Sequence, residues 1–122
     1  MATRVLIAED EPNIVESLSF VLGREGFEVS AALDGQSALE RLRTDPPDLM
    51  ILDVMLPRVN GFEVLKQAKA DPALRSIPVI VLTAKGQVHD RRMAEELGVD
   101  GFMTKPFSNR EIVEQVRRLV RG

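Results

Sequence analysis

Three short runs, Val5-Leu6-Ile7-Ala8, Leu49-Met50-Ile51-Leu52 and Val79-Ile80-Val81-Leu82, are apolar at every position. Each is too short for an ordinary helix, and without polar alternation neither face of the segment is suited to water. Strands of that kind belong to a parallel sheet covered on both sides. Two weaker candidates, Phe27 to Ala32 and Gly101 to Thr104, lie at the ends of helical stretches and bring the expected strands to five.

Between these runs the hydrophobic period becomes helical. Ile14, Leu18, Val21 and Leu22 stand at i, i+4, i+7 and i+8, and Ile112, Val116, Leu119 and Val120 repeat that spacing near the C-terminus. Pro12 suits a first helical turn and Gly26 a stop, so the first helix is predicted over roughly Pro12 to Glu25. Asp34 is expected to cap the second helix, and Asn60 with Glu63 and Ser108 with Glu111 mark two further starts. The fourth helix, roughly Val88 to Leu97, is the least well specified. Its stripe of Met93, Ala94 and Leu97 is interrupted by Arg91, Arg92, Glu95 and Glu96, which makes it the candidate for the most mobile helix. Alternating strands and helices with right-handed crossovers give an α/β, doubly wound sheet with helices on both faces.

Composition narrows the function. The 122 residues, 44% of them hydrophobic, suffice for one core, so a single domain over residues 1–122 is expected. Sixteen Lys and Arg against 19 Asp and Glu leave a net charge of -3, which argues against direct nucleic-acid binding and against an anionic membrane surface. The absence of cysteine removes disulfides, thiolate metal sites and thiol catalysis, and fits a reducing compartment such as the cytoplasm. The apolar runs are far shorter than a membrane span, and no signal-peptide pattern is present.

Ligands of such sheets bind beyond the carboxyl ends of the strands. Glu9 and Asp10 follow the first strand, Asp53 ends the third, Thr83 ends the fourth and Lys105 follows the fifth. Any one of these alone reads as an ordinary loop or capping residue; the set at four strand ends does not. Crowded carboxylates repel one another, and a hard cation such as Mg²⁺ with oxygen ligands relieves that repulsion. Asp53 is then a candidate nucleophile toward phosphorus, with the Lys105 ammonium and the Thr83 hydroxyl binding the phosphoryl oxygens opposite the metal.

With these residues in place, the chain from Arg4 to Val120 resembles the receiver domains of two-component response regulators. Val5 to Pro12 (VLIAEDEP) is similar to the family's acid-pair motif, Ile51 to Gly61 (ILDVMLPRVNG) to its phosphoacceptor motif, Val81 to Ala84 (VLTA) to its switch-hydroxyl motif, and Lys105-Pro106-Phe107 to its lysine motif. The resemblance implies a flavodoxin-like sheet of five strands in the order 2-1-3-4-5 with five helices. It implies Asp53 as phosphoacceptor, Thr83 and Lys105 on the phosphoryl group, and Mg²⁺, replaceable by Mn²⁺, on Glu9, Asp10, Asp53 and the Met55 backbone carbonyl. A cis Lys105-Pro106 bond is implied as well, and so is Phe102 as a switch aromatic that turns inward with Thr83. The expected partners are a sensor histidine kinase or histidine phosphotransfer protein, and a downstream protein or fused output domain reached through the face of helix four, strand five and helix five. On this reading the chain is no enzyme, catalysing only its own phosphorylation and dephosphorylation.

Some positions depart from the common pattern or stand apart from it. Glu9 stands where many members carry Asp. Met55 and Lys85 lie two residues after Asp53 and Thr83, where side chains overhang the site, and Gln115 replaces the arginine typical of receivers that dimerise through the output face. His89 reads as a surface residue; Arg110, Arg117, Arg118 and Arg121 read as the wet face of the last helix, with Glu114 spaced to support Arg118. A haloacid dehalogenase-like phosphatase would need a second acid where Met55 stands. A pseudo-receiver that binds partners without phosphorylation would not need the complete set of polar groups. With the last helix running almost to Gly122, the chain is either a stand-alone regulator or a receiver taken from a longer protein.

Overall fold

The structure is a computed structural model that describes residues 2–84 and 88–120. Its elements alternate throughout: β1 (Arg4–Ala8), α1 (Pro12–Arg24), β2 (Glu28–Ala32), α2 (Gly35–Thr44), β3 (Leu49–Asp53), α3 (Gly61–Ala70), β4 (Val79–Ala84), α4 (Val88–Glu96), β5 (Gly101–Lys105) and α5 (Asn109–Val120). The strands form one parallel sheet in the order β2-β1-β3-β4-β5, which is the flavodoxin-like arrangement expected. Among the described residues no helix is long and apolar enough to cross a membrane.

The sheet separates two apolar layers. Alternate residues of one strand serve opposite layers: Leu6, Met50, Leu52 and Val81 pack with α2, α3 and Ala94 of α4, whereas Val5, Ile7, Ile51 and Leu82 pack with α1 and α5. This double coverage explains why the central strands carry no polar alternation. β3 is buried over its whole length, Asp53 included.

Several boundaries differ from the sequence reading by a residue or two. Apolar runs mark buried side chains, whereas a ladder follows backbone pairing, which continues through polar residues at the strand ends. Asp53 pairs in register with Leu82, Thr83 with Thr104 and Ala84 with Lys105, so β4 runs one residue past Thr83 and Lys105 belongs to β5. β2 begins at Glu28, α1 stops at Arg24 with Glu25 as its cap, and α4 stops at Glu96. Gly26, at a positive φ of 94°, takes the chain out of α1 as its position suggested.

The three expected caps form. Asp34 accepts from the Ser37 N–H at 2.8 Å, Asn60 from that of Glu63 at 3.0 Å and the Ser108 hydroxyl from that of Glu111 at 3.0 Å. The charge pattern of α5 differs from expectation. Glu114 pairs with Arg110 rather than Arg118, and Arg117 is no free surface cation but an ion-pair partner of Glu25 at the end of α1.

Two glycines fix the loop after β3. A Cβ at Gly35, the first residue of α2, would lie 1.7 Å from the Val59 carbonyl oxygen; one at Gly61, the first residue of α3, would lie 2.3 Å from that of Asp53. The backbone N–H of Gly61 donates to the Val54 carbonyl at 3.0 Å and that of Gly35 to the Pro57 carbonyl at 3.2 Å, so both helices press on residues 54–59. A methyl group at either position must push backbone away. Gly61→Ala is expected to cost at least ~1–3 kcal/mol, the range for overpacking a tight site, measured as a lowered urea midpoint. A midpoint equal to wild type would mean that the loop is not clamped there.

Candidate functional site

The parallel order makes β1 and β3 neighbours, so the residues just past β1 and the last residue of β3 must meet at the carboxyl edge of the sheet. The structure brings Glu9, Asp10 and Asp53 together there, with carboxylate oxygens within 4.8 Å of one another. Glu9 is fully buried, Asp53 is 3% exposed, and Asp10 stands open to solvent at the mouth. Lys105 reaches them from β5, two strands beyond β3. Its ammonium nitrogen lies 3.2 Å from Asp53 Oδ2, to which it donates, and 2.9 Å from Glu9 Oε1. The Lys105-Pro106 peptide is cis.

Backbone N–H groups hold the other two oxygens. Glu9 Oε2 accepts from the Glu11 N–H at 3.0 Å, and Asp53 Oδ1 from the Met55 N–H at 3.0 Å. Glu9 Oε1, despite its ion pair, is buried without a hydrogen-bond partner of proper geometry. Hard oxygen donors, one of them unsatisfied and buried, with three carboxylates facing one ammonium, are a set that a Mg²⁺-like cation fits. Met55 is 74% exposed, while Lys85 lies outside the described residues.

Thr83 comes directly after Leu82, the register partner of Asp53, and is 2% exposed, and its hydroxyl donates to Asp90 Oδ2 at 2.9 Å rather than to a member of the acid cluster. Phe102 is half-buried against the layer shared with α4, and the Arg91 guanidinium carbon sits 5.3 Å from its ring centroid. His89 is exposed on the first turn of α4. Gln115 turns inward and donates from its amide nitrogen to the Phe102 carbonyl at 3.3 Å. Asp90 is not among the residues that the sequence singles out; its spacing of seven residues from Thr83 across a strand-to-helix connection was the available signal.

Burial above all, aided by the charge of Asp53, pushes the Glu9 carboxyl up to about 7 against the opposing effects of the Glu11 N–H and Lys105. Burial works against the Lys105 ammonium, yet the contact with Glu9 and the charges of Asp53 and Glu9 outweigh it and raise its pKa.

The chain belongs to the response regulator receiver domain family, which it matches over residues 5–117. It is thus of the class that carries out phosphorelay signalling in two-component systems. Over 121 residues it is 42% identical to the alkaline phosphatase synthesis transcriptional regulatory protein PhoP of Bacillus subtilis, covering 99% of this chain and 50% of that one. It is equally 42% identical to the phosphate regulon transcriptional regulatory protein PhoB of Escherichia coli, covering 99% and 53%. The chain therefore spans about half the length of these relatives. Among solved structures it resembles the signal receiver domain of a signal transduction histidine kinase from Syntrophus aciditrophicus, with a TM-score of 0.93 at 36% identity over 99% of this chain and 92% of that one. It also resembles the chemotaxis response regulator CheY4 of Vibrio cholerae, with a TM-score of 0.90 at 27% identity over 98% and 99%.

The Glu9 shift carries a stability consequence. A carboxyl whose folded pKa lies above its unfolded value of about 4.5 keeps its proton in the folded state where the unfolded chain has released it, so its stabilising contribution is complete below about 4.5 and lost as pH rises through about 7. Without divalent cations, the urea midpoint is expected to fall across that window, and Glu9→Gln to flatten the fall. An equally steep fall in Glu9→Gln would assign it to other groups.

Proposed function

We propose that this receiver takes a phosphoryl group onto Asp53 and thereby switches the face built by α4, β5 and α5. The observation that carries the reading is the pairing of a nearly buried Asp53 carboxylate with the Lys105 ammonium at 3.2 Å, beside the further acids Glu9 and Asp10. An Asp53 oxygen attacks phosphorus, the bond from phosphorus to the donor breaks, and the donor's leaving group departs with the bonding electrons, leaving an acyl phosphate. The Met55 N–H fixes the orientation of the carboxylate, and Lys105 neutralises a phosphoryl oxygen without needing to enter from solvent. Mg²⁺ or Mn²⁺ on Glu9, Asp10, Asp53 and the Met55 carbonyl would supply charge neutralisation for the incoming phosphate. Thr83 then moves toward the phosphoryl group and Phe102 moves with Thr83.

The donor is a sensor histidine kinase or histidine phosphotransfer protein, and the output is a downstream protein or a fused domain. PhoP and PhoB are transcriptional regulatory proteins about twice as long as this chain, which supports a fused output domain in the whole protein. The chain itself, a single domain with a net charge of -3, contacts neither nucleic acid nor membrane and works in the cytoplasm. It turns over no external substrate beyond its own phosphorylation and dephosphorylation.

Incubation with Mg²⁺ and acetyl phosphate is expected to add the mass of one HPO₃ to the intact chain, and Asp53→Asn or chelation of the metal to abolish the addition. Lack of an adduct with any donor, or continuous hydrolysis of varied phosphate esters, would contradict the reading.

A further inference from the structure

The hydroxyl of Thr83 is engaged by a residue that the phosphoryl chemistry does not use. Thr83 is 2% exposed and donates to Asp90 Oδ2 at 2.9 Å. A hydroxyl carries one proton and donates one hydrogen bond. While it donates to Asp90 it cannot donate to a phosphoryl oxygen.

The next residue acts on Phe102. Arg91 holds its guanidinium carbon 5.3 Å from the ring centroid, within the range of a cation–π contact. Two consecutive residues at the start of α4 therefore grip Thr83 and Phe102. The rest of α4 is thinly attached. Ala94 is its one fully buried apolar residue among the described side chains, against Leu18, Val21 and Leu22 in α1 or Ile112 and Val116 in α5. A larger share of what holds this helix to the sheet is therefore polar, and it is anchored on Thr83 and Phe102.

Resting on the reading of Asp53 as phosphoacceptor, we infer that Asp90 is a positioning residue that holds the receiver in its unphosphorylated state by competing with the phosphoryl group for the Thr83 proton. Arg91 on Phe102 is the second half of the same latch. When the phosphoryl group wins the hydroxyl, the Thr83–Asp90 bond is lost, and α4 is released from one of its polar contacts with the sheet. Both acceptors are anionic, so the exchange is one strong hydrogen bond for another, and a small bias at Asp90 moves the population. The latch thus sets how readily the protein adopts its phosphorylated arrangement.

Beryllium trifluoride with Mg²⁺, a mimic of a phosphoryl group on a carboxylate, reads this competition without turnover. The chain has neither Trp nor Tyr, so calorimetry is the suitable readout. Asp90→Ala is expected to bind the mimic about three- to tenfold more tightly than wild type, the scale of one net hydrogen bond removed from the competing state. Asp90→Asn, which keeps an acceptor without the charge, is expected to fall between the two and secures the test if the alanine variant folds poorly. In a Thr83→Ala background, Asp90→Ala is expected to change nothing. Unchanged or weaker binding in both Asp90 variants would overturn the latch, as would an equal gain without the Thr83 hydroxyl, which would make Asp90 a distant charge only. Failure of wild type to bind the mimic at all would remove the phosphoacceptor reading itself, and the inference with it.

Discussion

An ionised carboxylate out of water costs several kcal/mol unless partners replace the lost hydration, and Glu9 is a fully buried carboxylate. It receives one backbone N–H and shares one ammonium with Asp53, and one of its oxygens still lacks a hydrogen bond. Much of the carboxyl edge of the sheet can be understood from that deficit. It lifts the Glu9 carboxyl to about 7, it raises the pKa of Lys105, and it leaves a cluster of acids short of positive charge at the mouth of the site. A hard divalent cation fits such a cluster.

Maintaining such a cluster requires a rigid frame. Two apolar layers fix β1 and β3 from opposite faces, so that Glu9 and Asp53 cannot separate. Gly35 and Gly61 let α2 and α3 press on the loop after Asp53, which carries the Met55 N–H that orients the Asp53 carboxylate. Away from the site, Lys69 gathers the carbonyls of Arg75 and Ile77 and the carboxylate of Asp100, fastening α3 to the start of β4. Against this frame α4 is the exception: Ala94 is its one fully buried apolar side chain among those described, and Asp90 and Arg91 add contacts to Thr83 and Phe102.

The strands were legible because a doubly covered sheet writes itself as unbroken apolar runs, and the caps were legible because Asp34, Asn60 and Ser108 each act on a residue only three positions away. The strand ends were less so. Asp53, Thr83 and Lys105 remain in the ladder although their side chains are polar, since pairing belongs to the backbone. Glu9, Asp10, Asp53 and Lys105 could be placed at one edge from their positions after strands, and the family resemblance gave them roles. What pattern alone could not supply was orientation. The hydroxyl of Thr83 faces Asp90, Glu114 turns to Arg110, Arg117 crosses to Glu25 and Gln115 folds back on Phe102. Each depends on tertiary geometry between side chains whose spacing permits several partners.

Asp53, and not another member of the acid cluster, is the residue proposed to become the acyl phosphate. Borohydride reduces an acyl phosphate but spares a free carboxylate, converting a phosphorylated aspartate to homoserine. After reaction with acetyl phosphate and Mg²⁺, peptide sequencing by mass spectrometry is expected to find homoserine at position 53 and unmodified acids at positions 9 and 10. Reduction at Asp10 or Glu9, or at a surface acid with Asp53 intact, would contradict the account.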